Sequence, residues 1–414
     1  VFRQPTSRNP SHGLTHLRSH ARPIGLPFGV SGEVARQINF LPGVVGTVPS
    51  PDVSPFANPQ SPIRDQQFSR PRSHALPIAT PGSSVPTVLG IPHRTHYAPA
   101  MRFIWHGVLY GFALLIAFLS PLVMAAPIPR SPELQRIVDI AASATLEHFA
   151  GEKLQSNQLA FTLVDISNKA TPRQAGFRAD APIYPASVIK LFYLVAAHRW
   201  MEDGKLTETD ELRRAIRDMI IDSSNDATHY VVDAITATTG GPELPPDEMR
   251  AWSEKRNAIN RYFSSEGYTR INANQKPWCE GPYGREREFV GKNFANRNAL
   301  TTEATARLLS EIVEGKAVSA ARSRQMMDIL QRNYSKKVQS DEPDQAVDFT
   351  GKALPPGAKL WSKAGWTSTA RHDAAYIELP GGPKFVLVTF TTDHSKNGEI
   401  ISFVARNIME RLKR

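Results

Sequence analysis

An uncharged run of 20 residues, 107–126, divides the chain into two parts of unlike composition. Before it, the first 100 residues hold 16 of the 33 prolines and nine arginines, but no lysine and only three acids. Prolines at this density remove backbone donors and interrupt helices and central strands. We therefore expect 1–100 to be a disordered basic extension or upstream sequence outside the working protein, and we expect the fold to follow the apolar run.

The apolar run has the order of an export signal. Met101 and Arg102 form a short basic start, the run follows, and small residues up to Ala126 end it. This order is typical of a secretory signal peptide, so 101–126 is predicted to be cleaved. A run of this length could instead stay as an uncleaved membrane anchor. Either way, we expect the domain 127–414 to lie outside the cytoplasm, in a periplasm or secreted.

The composition argues against several kinds of site. The single cysteine, Cys279, excludes an internal disulfide and a cysteine-rich zinc site, and we interpret it as a buried structural thiol. No cofactor and no metal are expected, because the histidines lack the spacing of metal ligands. These histidines are His148, His198, His229 and His394. The net charge of +10 lies mostly in the first 100 residues, so nucleic-acid binding is not expected of the exported domain.

The hydrophobic pattern after residue 126 places strands near both ends and helices between them. This arrangement predicts an α+β fold: an antiparallel sheet built from the two ends, flanked by helices and joined to a helical lobe. The predicted strands are 159–166, 359–363, 373–379 and 384–391. The predicted helices are one capped by Ser131, then 187–201, two within 208–237, 247–263, one capped by Thr301, 319–332 and 399–412.

Three short groups of residues carry possible chemistry. Ser187 and Lys190 lie one turn apart at a predicted helix start, where free backbone N–H groups favour a developing anion. A lysine in this apolar helix would be desolvated, which favours a neutral amine that can act as a base beside the hydroxyl. Taken alone, the pair is very common and is more typical of a helix cap and a surface lysine.

The second group, Ser223 and Asn225, lies in a break between two helices, from which a hydroxyl and an amide can reach a cleft. The third group, Lys363 and Gly365, ends a predicted strand. The glycine permits close backbone approach, and the lysine provides positive potential. Each group alone also fits an ordinary cap, turn or strand end.

In this order, S-x-x-K, S-x-N and K-x-G resemble the motifs of the penicillin-recognising serine enzymes, and the class A β-lactamase-like hydrolases in particular. The likeness covers about 130–414 and includes the helix ending in Gly-Gly within 223–241 and the threonine-rich helix start at 298–302. It implies the β-lactamase/transpeptidase-like fold. It further implies a monomeric hydrolase that acts on β-lactams or other small or peptidoglycan-like acyl substrates.

The resemblance also implies residue roles. Ser187 would be the acylated nucleophile, Lys190 its base, and Ser223 the donor of a proton to the leaving nitrogen. Asn225 would bind the substrate amide, and Lys363 would attract the substrate carboxylate.

Further roles follow from the same resemblance. Gly365 and Trp366 would line the substrate site, with the backbone N–H groups of Ser187 and Trp366 forming the oxyanion hole. Arg371 would be a second group attracting the substrate carboxylate.

The sequence departs from that family in three places. Ser224 stands where the lactamases usually carry aspartate, and Ala364 lacks the usual hydroxyl. No Glu-x-x-Leu-Asn motif supplies the base for deacylation. By its distance along the chain from Thr301, Glu288 is the first candidate for this base. Glu286 is the alternative, and Glu280 lies in the same region.

Two alternatives therefore stay open. One is a D,D-carboxypeptidase, transpeptidase or esterase. The other is a penicillin-binding sensor that is acylated without turnover. His372 and Asp373 also invite a Ser–His–Asp interpretation with Ser187, which is not favoured because Lys190 already provides the base.

Overall fold

The structure is a computed structural model that describes residues 127–278, 281–335 and 343–412. The predicted extension, the predicted signal peptide, Cys279 and Glu280 lie outside these residues. Within the described part of the chain, no helix combines the length and the apolar character needed to cross a membrane.

A six-stranded antiparallel sheet forms the centre of the fold, in the order β2-β1-β6-β5-β4-β3. The strands of both chain ends meet in it, because β1 pairs with β6. This confirms the predicted sheet. The strands are β1 (Leu159–Asp165), β2 (Arg173–Phe177), β3 (Gln331–Arg332), β4 (Lys359–Trp366), β5 (Ala370–Glu378) and β6 (Lys384–Thr392).

Helices cover the sheet and form the adjoining lobe, and several begin at side-chain caps that the sequence shows. Ser131 Oγ accepts from the backbone of Leu134, and Thr301 Oγ1 accepts from that of Ala304. The helices are α1 (Pro132–His148), α2 (Lys190–Glu202), α3 (Asp210–Ile221), α4 (Asn225–Thr236), α5 (Pro246–Arg256), α6 (Ala258–Ser265), α7 (Gly284–Val290), α8 (Thr302–Val313), α9 (Ala320–Leu330) and α10 (Glu399–Leu412).

The sheet separates two hydrophobic cores, because alternate residues of a strand point to opposite faces. In β6, Phe385 and Leu387 pack with α1 and α10, whereas Val386 and Val388 pack with the helical lobe. Both faces of the central strands are therefore buried. The lobe-side face of the sheet is the one that borders the candidate site.

Some elements differ from the prediction. The segment expected to be helical from residue 187 begins with a 3-10 turn, Ala186–Ile189, and only then continues as α2. β4 runs on to Trp366, beyond its predicted end. The sequence patterns missed β2, β3 and α7. β3 has only two residues, and β2 is an edge strand with a polar start, so neither shows a clear period.

Candidate active site

Ser187 lies on the 3-10 turn Ala186–Ile189, which we call the Ser187 turn, directly before α2. Its side chain is half-buried. Ala186 has a φ of +47°, a left-handed conformation that is unusual for a residue with a Cβ and costs about 1–3 kcal/mol. The Val188 N–H donates to the Pro185 carbonyl at 3.1 Å and closes the turn. The surrounding structure thus holds the candidate nucleophile in a constrained loop.

Lys190 begins α2 and is fully buried. Its Nζ donates to the Ser223 carbonyl at 2.5 Å, to Ser223 Oγ at 3.2 Å and to Asn225 Oδ1 at 2.9 Å. Two of the three predicted motifs are therefore joined directly through this amine.

Ser223 occupies the break between α3 and α4, with a φ of +57°. Its Oγ accepts from Lys190 and, at 2.9 Å, from Lys363 Nζ. The hydroxyl of Ser223 therefore lies between the two lysine amines, within hydrogen-bond distance of each. Ser224, which replaces the usual aspartate, caps α4 by accepting from the Ala227 N–H.

Lys363 on β4 is fully buried as well. Besides Ser223, its Nζ contacts Gln345 Oε1 at 2.5 Å and the Ala364 carbonyl at 2.7 Å. Burial, and then the nearby charge of Lys190, lower the pKa of Lys363 well below its usual value. Lys190, Ser223, Asn225 and Lys363 thus form one hydrogen-bonded cluster, which we call the two-lysine cluster.

Gly365 brings β4 into contact with the Ser187 turn. A Cβ built on Gly365 would lie 2.7 Å from the Ser187 nitrogen, and 2.9 Å from both the Pro185 oxygen and the Val188 nitrogen. Only a residue without a side chain fits this distance between two backbones. The third predicted motif is therefore adjacent to the first. The next residue on β4 is the half-buried Trp366, whose ring lies 5.8 Å from that of Phe349.

Two further residues lie beside the cluster and were not predicted. Gln345 links Lys363 to the end of α3, because its Nε2 donates to the Ile221 carbonyl at 2.8 Å. Arg332 donates to the carbonyls of Ile220, Ile221 and Ser362. Burial lowers the pKa of Arg332 to about 10. A glutamine in a polar loop and an arginine after a helix carry no pattern that would identify them.

Arg371 does not join the two-lysine cluster. Its guanidinium donates to the carbonyls of Asp348, at 2.8 Å, and Ser395, at 3.3 Å, and lies over the Phe349 ring. It leaves β5 on the face opposite to His372, because neighbouring residues of a strand alternate. Its role in binding a substrate carboxylate stays a prediction.

The two predicted deacylation bases lie on α7 in different surroundings. The Glu288 side chain is exposed. Glu286 is buried, and both of its oxygens accept from Arg256 at 2.8 Å. Lys276 Nζ lies 3.3 Å from Glu286 and donates to Asp233 at 2.6 Å. We call these four buried or half-buried groups the α7 ion-pair cluster. Glu286 thus lies in a buried ion-pair network and Glu288 at the surface, and the role of either as the deacylation base stays a prediction.

His372 and Asp373 leave β5 on opposite faces. His372 Nε2 bonds to the Tyr184 carbonyl at 2.9 Å, while Asp373 Oδ2 accepts from the Thr350 N–H at 3.1 Å. This arrangement does not form a triad with Ser187. Among residues 127–278, 281–335 and 343–412, no three His, Cys, Asp or Glu side chains are grouped as a metal site requires.

Comparison with known proteins adds the family. A family model described as "Beta-lactamase enzyme family" matches residues 143–412. No curated protein matches the chain.

Solved structures similar to this chain include the β-lactamase from Sphaerobacter thermophilus DSM 20745, at 17% identity and a TM-score of 0.47, covering 66% of this chain and 96% of that one. PBP-A is also 17% identical, with a TM-score of 0.47 and coverages of 69% and 98%. A class A β-lactamase variant of the last common ancestor of Gram-negative bacteria is 18% identical, with a TM-score of 0.48 and coverages of 66% and 97%.

The predicted fold class, an antiparallel sheet flanked by helices, is confirmed by the six-stranded sheet and the helices on both of its faces. The family model spans well over half of the chain and includes every residue of the two-lysine cluster. The chain therefore belongs to the β-lactamase enzyme family.

Proposed function

We propose that the protein hydrolyses amide bonds of the β-lactam type through an acyl-Ser187 intermediate. The observation that carries this proposal is the two-lysine cluster beside the Ser187 turn. There the buried Lys190 Nζ lies 3.2 Å from Ser223 Oγ and 2.9 Å from Asn225 Oδ1, and Lys363 Nζ lies 2.9 Å from Ser223 Oγ. We further propose that the domain works outside the cytoplasm, which rests on the apolar run 107–126 alone.

The proposed acylation balances as follows. With Lys190 in its neutral form, Ser187 Oγ attacks the carbonyl carbon and gives its proton to the Lys190 amine. The C–N bond then breaks, Ser223 passes its proton to the leaving nitrogen, and Lys190 returns a proton to Ser223. The 3.2 Å contact between Lys190 Nζ and Ser223 Oγ supports this route, because a proton can pass directly between these two atoms.

The developing oxyanion would be bound by the backbone N–H groups of Ser187 and Trp366. The contact of Gly365 with the Ser187 nitrogen supports this assignment, since it brings β4 beside the nucleophile. Removing one such donor typically costs about 10²–10³ in rate. Arg332, and Lys363 when it is protonated, would provide the positive potential for a substrate carboxylate.

A second candidate is a penicillin-binding peptidase or sensor that releases its acyl group slowly. The surroundings of the two predicted bases favour this alternative, because Glu286 is bound by Arg256 and Glu288 is exposed. Hydrolysis of the ester needs a second attack by an activated water. The rate of that step separates the two candidates.

The experiment is intact mass spectrometry of the protein mixed with a penicillin, followed over time, with Ser187→Ala as the control. A transient adduct accompanied by hydrolysed product is expected for a β-lactamase. A persistent adduct would identify the second candidate. No adduct on the wild type, or an equal adduct on Ser187→Ala, would contradict acylation at Ser187.

A further inference from the structure

We propose that His372 is a positioning residue for acylation, holding the segment that carries Ser187 against the sheet through the carbonyl of Tyr184. The proposal deepens the proposed function and rests on it for the reaction. The structural restraint itself can be measured separately.

Both ring nitrogens of His372 are engaged. The Thr391 N–H of β6 donates to Nδ1 at 3.1 Å, so Nδ1 carries no proton. Nε2 therefore carries the proton and donates to the Tyr184 carbonyl at 2.9 Å. The ring is fully buried, and its centroid lies 4.6 Å from that of Phe390. A single tautomer thus links β6, β5 and the segment before Ser187.

The hydrogen bond from His372 reaches the segment close to Ser187. Tyr184 lies three residues before Ser187, and the segment is next tied at Ile183, which pairs with Leu300. Gly365, which contacts the Ser187 nitrogen, is the cross-strand partner of His372. Two neighbouring positions of the sheet therefore hold the segment, one by close approach and the other by a hydrogen bond.

The segment needs such restraint, because Ala186 holds a left-handed φ. Strained conformations persist only where the surroundings fix them. Burial lowers the pKa of His372 to about 4, against the opposing effect of the Tyr184 and Arg371 carbonyls. The ring is accordingly neutral over the ordinary working range of pH, and the donor to Tyr184 stays in place.

The test compares three variants at the same pH and well below their melting temperatures. His372→Asn keeps a polar partner for Thr391 but is too short to reach Tyr184. His372→Gln is longer and restores an N–H at that distance. His198→Leu is the matched control, because His198 is also a buried histidine with its pKa lowered to about 4, and it lies on α2 away from the segment.

The first readout is the acylation rate constant, separated from the dissociation constant for the β-lactam. We expect His372→Asn to lower the rate constant about 10- to 100-fold with little change in the dissociation constant, as positioning defects do. His372→Gln is expected to recover most of this loss, and His198→Leu to stay within about twofold of the wild type. An unchanged rate in His372→Asn, or an equal loss in His198→Leu, would overturn the proposal.

The second readout is amide hydrogen exchange over residues 184–190, which needs no substrate. Faster exchange there in His372→Asn, but not in His198→Leu, is expected if His372 holds the segment. Unchanged exchange would overturn the restraint even if the protein reacts with β-lactams. If no β-lactam acylates the wild type, but exchange over 184–190 is still faster in His372→Asn and not in His198→Leu, the restraint stands and the proposed function is rejected.

Discussion

Replacing Gly365 with alanine would add one methyl group where two backbones meet. The added carbon would lie 2.7 Å from the Ser187 nitrogen and 2.9 Å from the Pro185 oxygen and the Val188 nitrogen. All three are backbone atoms of the constrained segment that carries the candidate nucleophile. None of them can rotate away as the end of a side chain could, so the strand and the segment must separate.

The size of the effect follows from these distances. Ordinary van der Waals contact begins at 3.4 Å, so the gap must open by about 0.7 Å. A displacement of about 1 Å at a reacting group costs about 10² in rate, and loss of one oxyanion donor costs about 10²–10³. We therefore expect Gly365→Ala to slow acylation about 100-fold. Overpacking should also lower the free energy of unfolding by about 1–3 kcal/mol.

The assay measures the acylation rate constant with a chromogenic cephalosporin, at a temperature where urea titration shows the variant to be folded. Gly151→Ala is the matched control, since no atom lies within 4 Å of its added carbon. The control should react like the wild type. A folded Gly365→Ala that acylates within about threefold of the wild type would refute the reasoning, because it would mean that the oxyanion donors do not depend on this contact.

Two further predictions concern stability. Glu286→Gln should lower the free energy of unfolding in urea by about 3 kcal/mol, because it removes a counter-charge of the buried Arg256. The control is Glu288→Gln at an exposed position, which should change this free energy little. Equal losses in the two variants would contradict the ion-pair argument. Burial lowers the pKa of His372 and His198 to about 4, so the unfolded chain binds protons that the folded chain does not between about pH 6.5 and 4. Stability should fall over this window as the pH is lowered, by up to about 3 kcal/mol per histidine, and a flat urea midpoint would refute it.

Much of the fold could be predicted because its signals are local. Ser131 and Thr301 mark helix starts, since a side-chain oxygen at the cap satisfies a backbone N–H that is otherwise unpaired. The central strands β5 and β6 are buried on both faces, and their apolar stretches lie in the predicted regions. β2 and β3 could not be found in this way, because their pairing with a neighbour defines them more than their own residues do.

In the candidate site, too, the residues that stand in local motifs could be predicted and the others could not. Lys190, Ser223, Asn225 and Lys363 stand in short motifs, and the structure brings them together. Gln345 reaches the cluster only because a loop passes the edge of the sheet, which no local pattern encodes.

The candidate bases show the limit of counting along the chain. The sequence predicts Glu288 and Glu286 as the candidates by their distance from Thr301. Two positions along α7, about half a helical turn, are enough to bury Glu286 in an ion-pair cluster and to expose Glu288.

The pairing of β1 with β6 has a consequence for how the chain reaches its native state. Leu159 lies opposite Thr391, more than two hundred residues later in the sequence. Closing so long a loop is entropically unfavourable and slow, so the middle of the sheet can form only after nearly the whole chain is available. Until then β1 exposes an unpaired apolar edge, which is a template for aggregation. A product that ends before Lys384 would therefore fail to fold and would collect as insoluble protein, however intact its active-site motifs were.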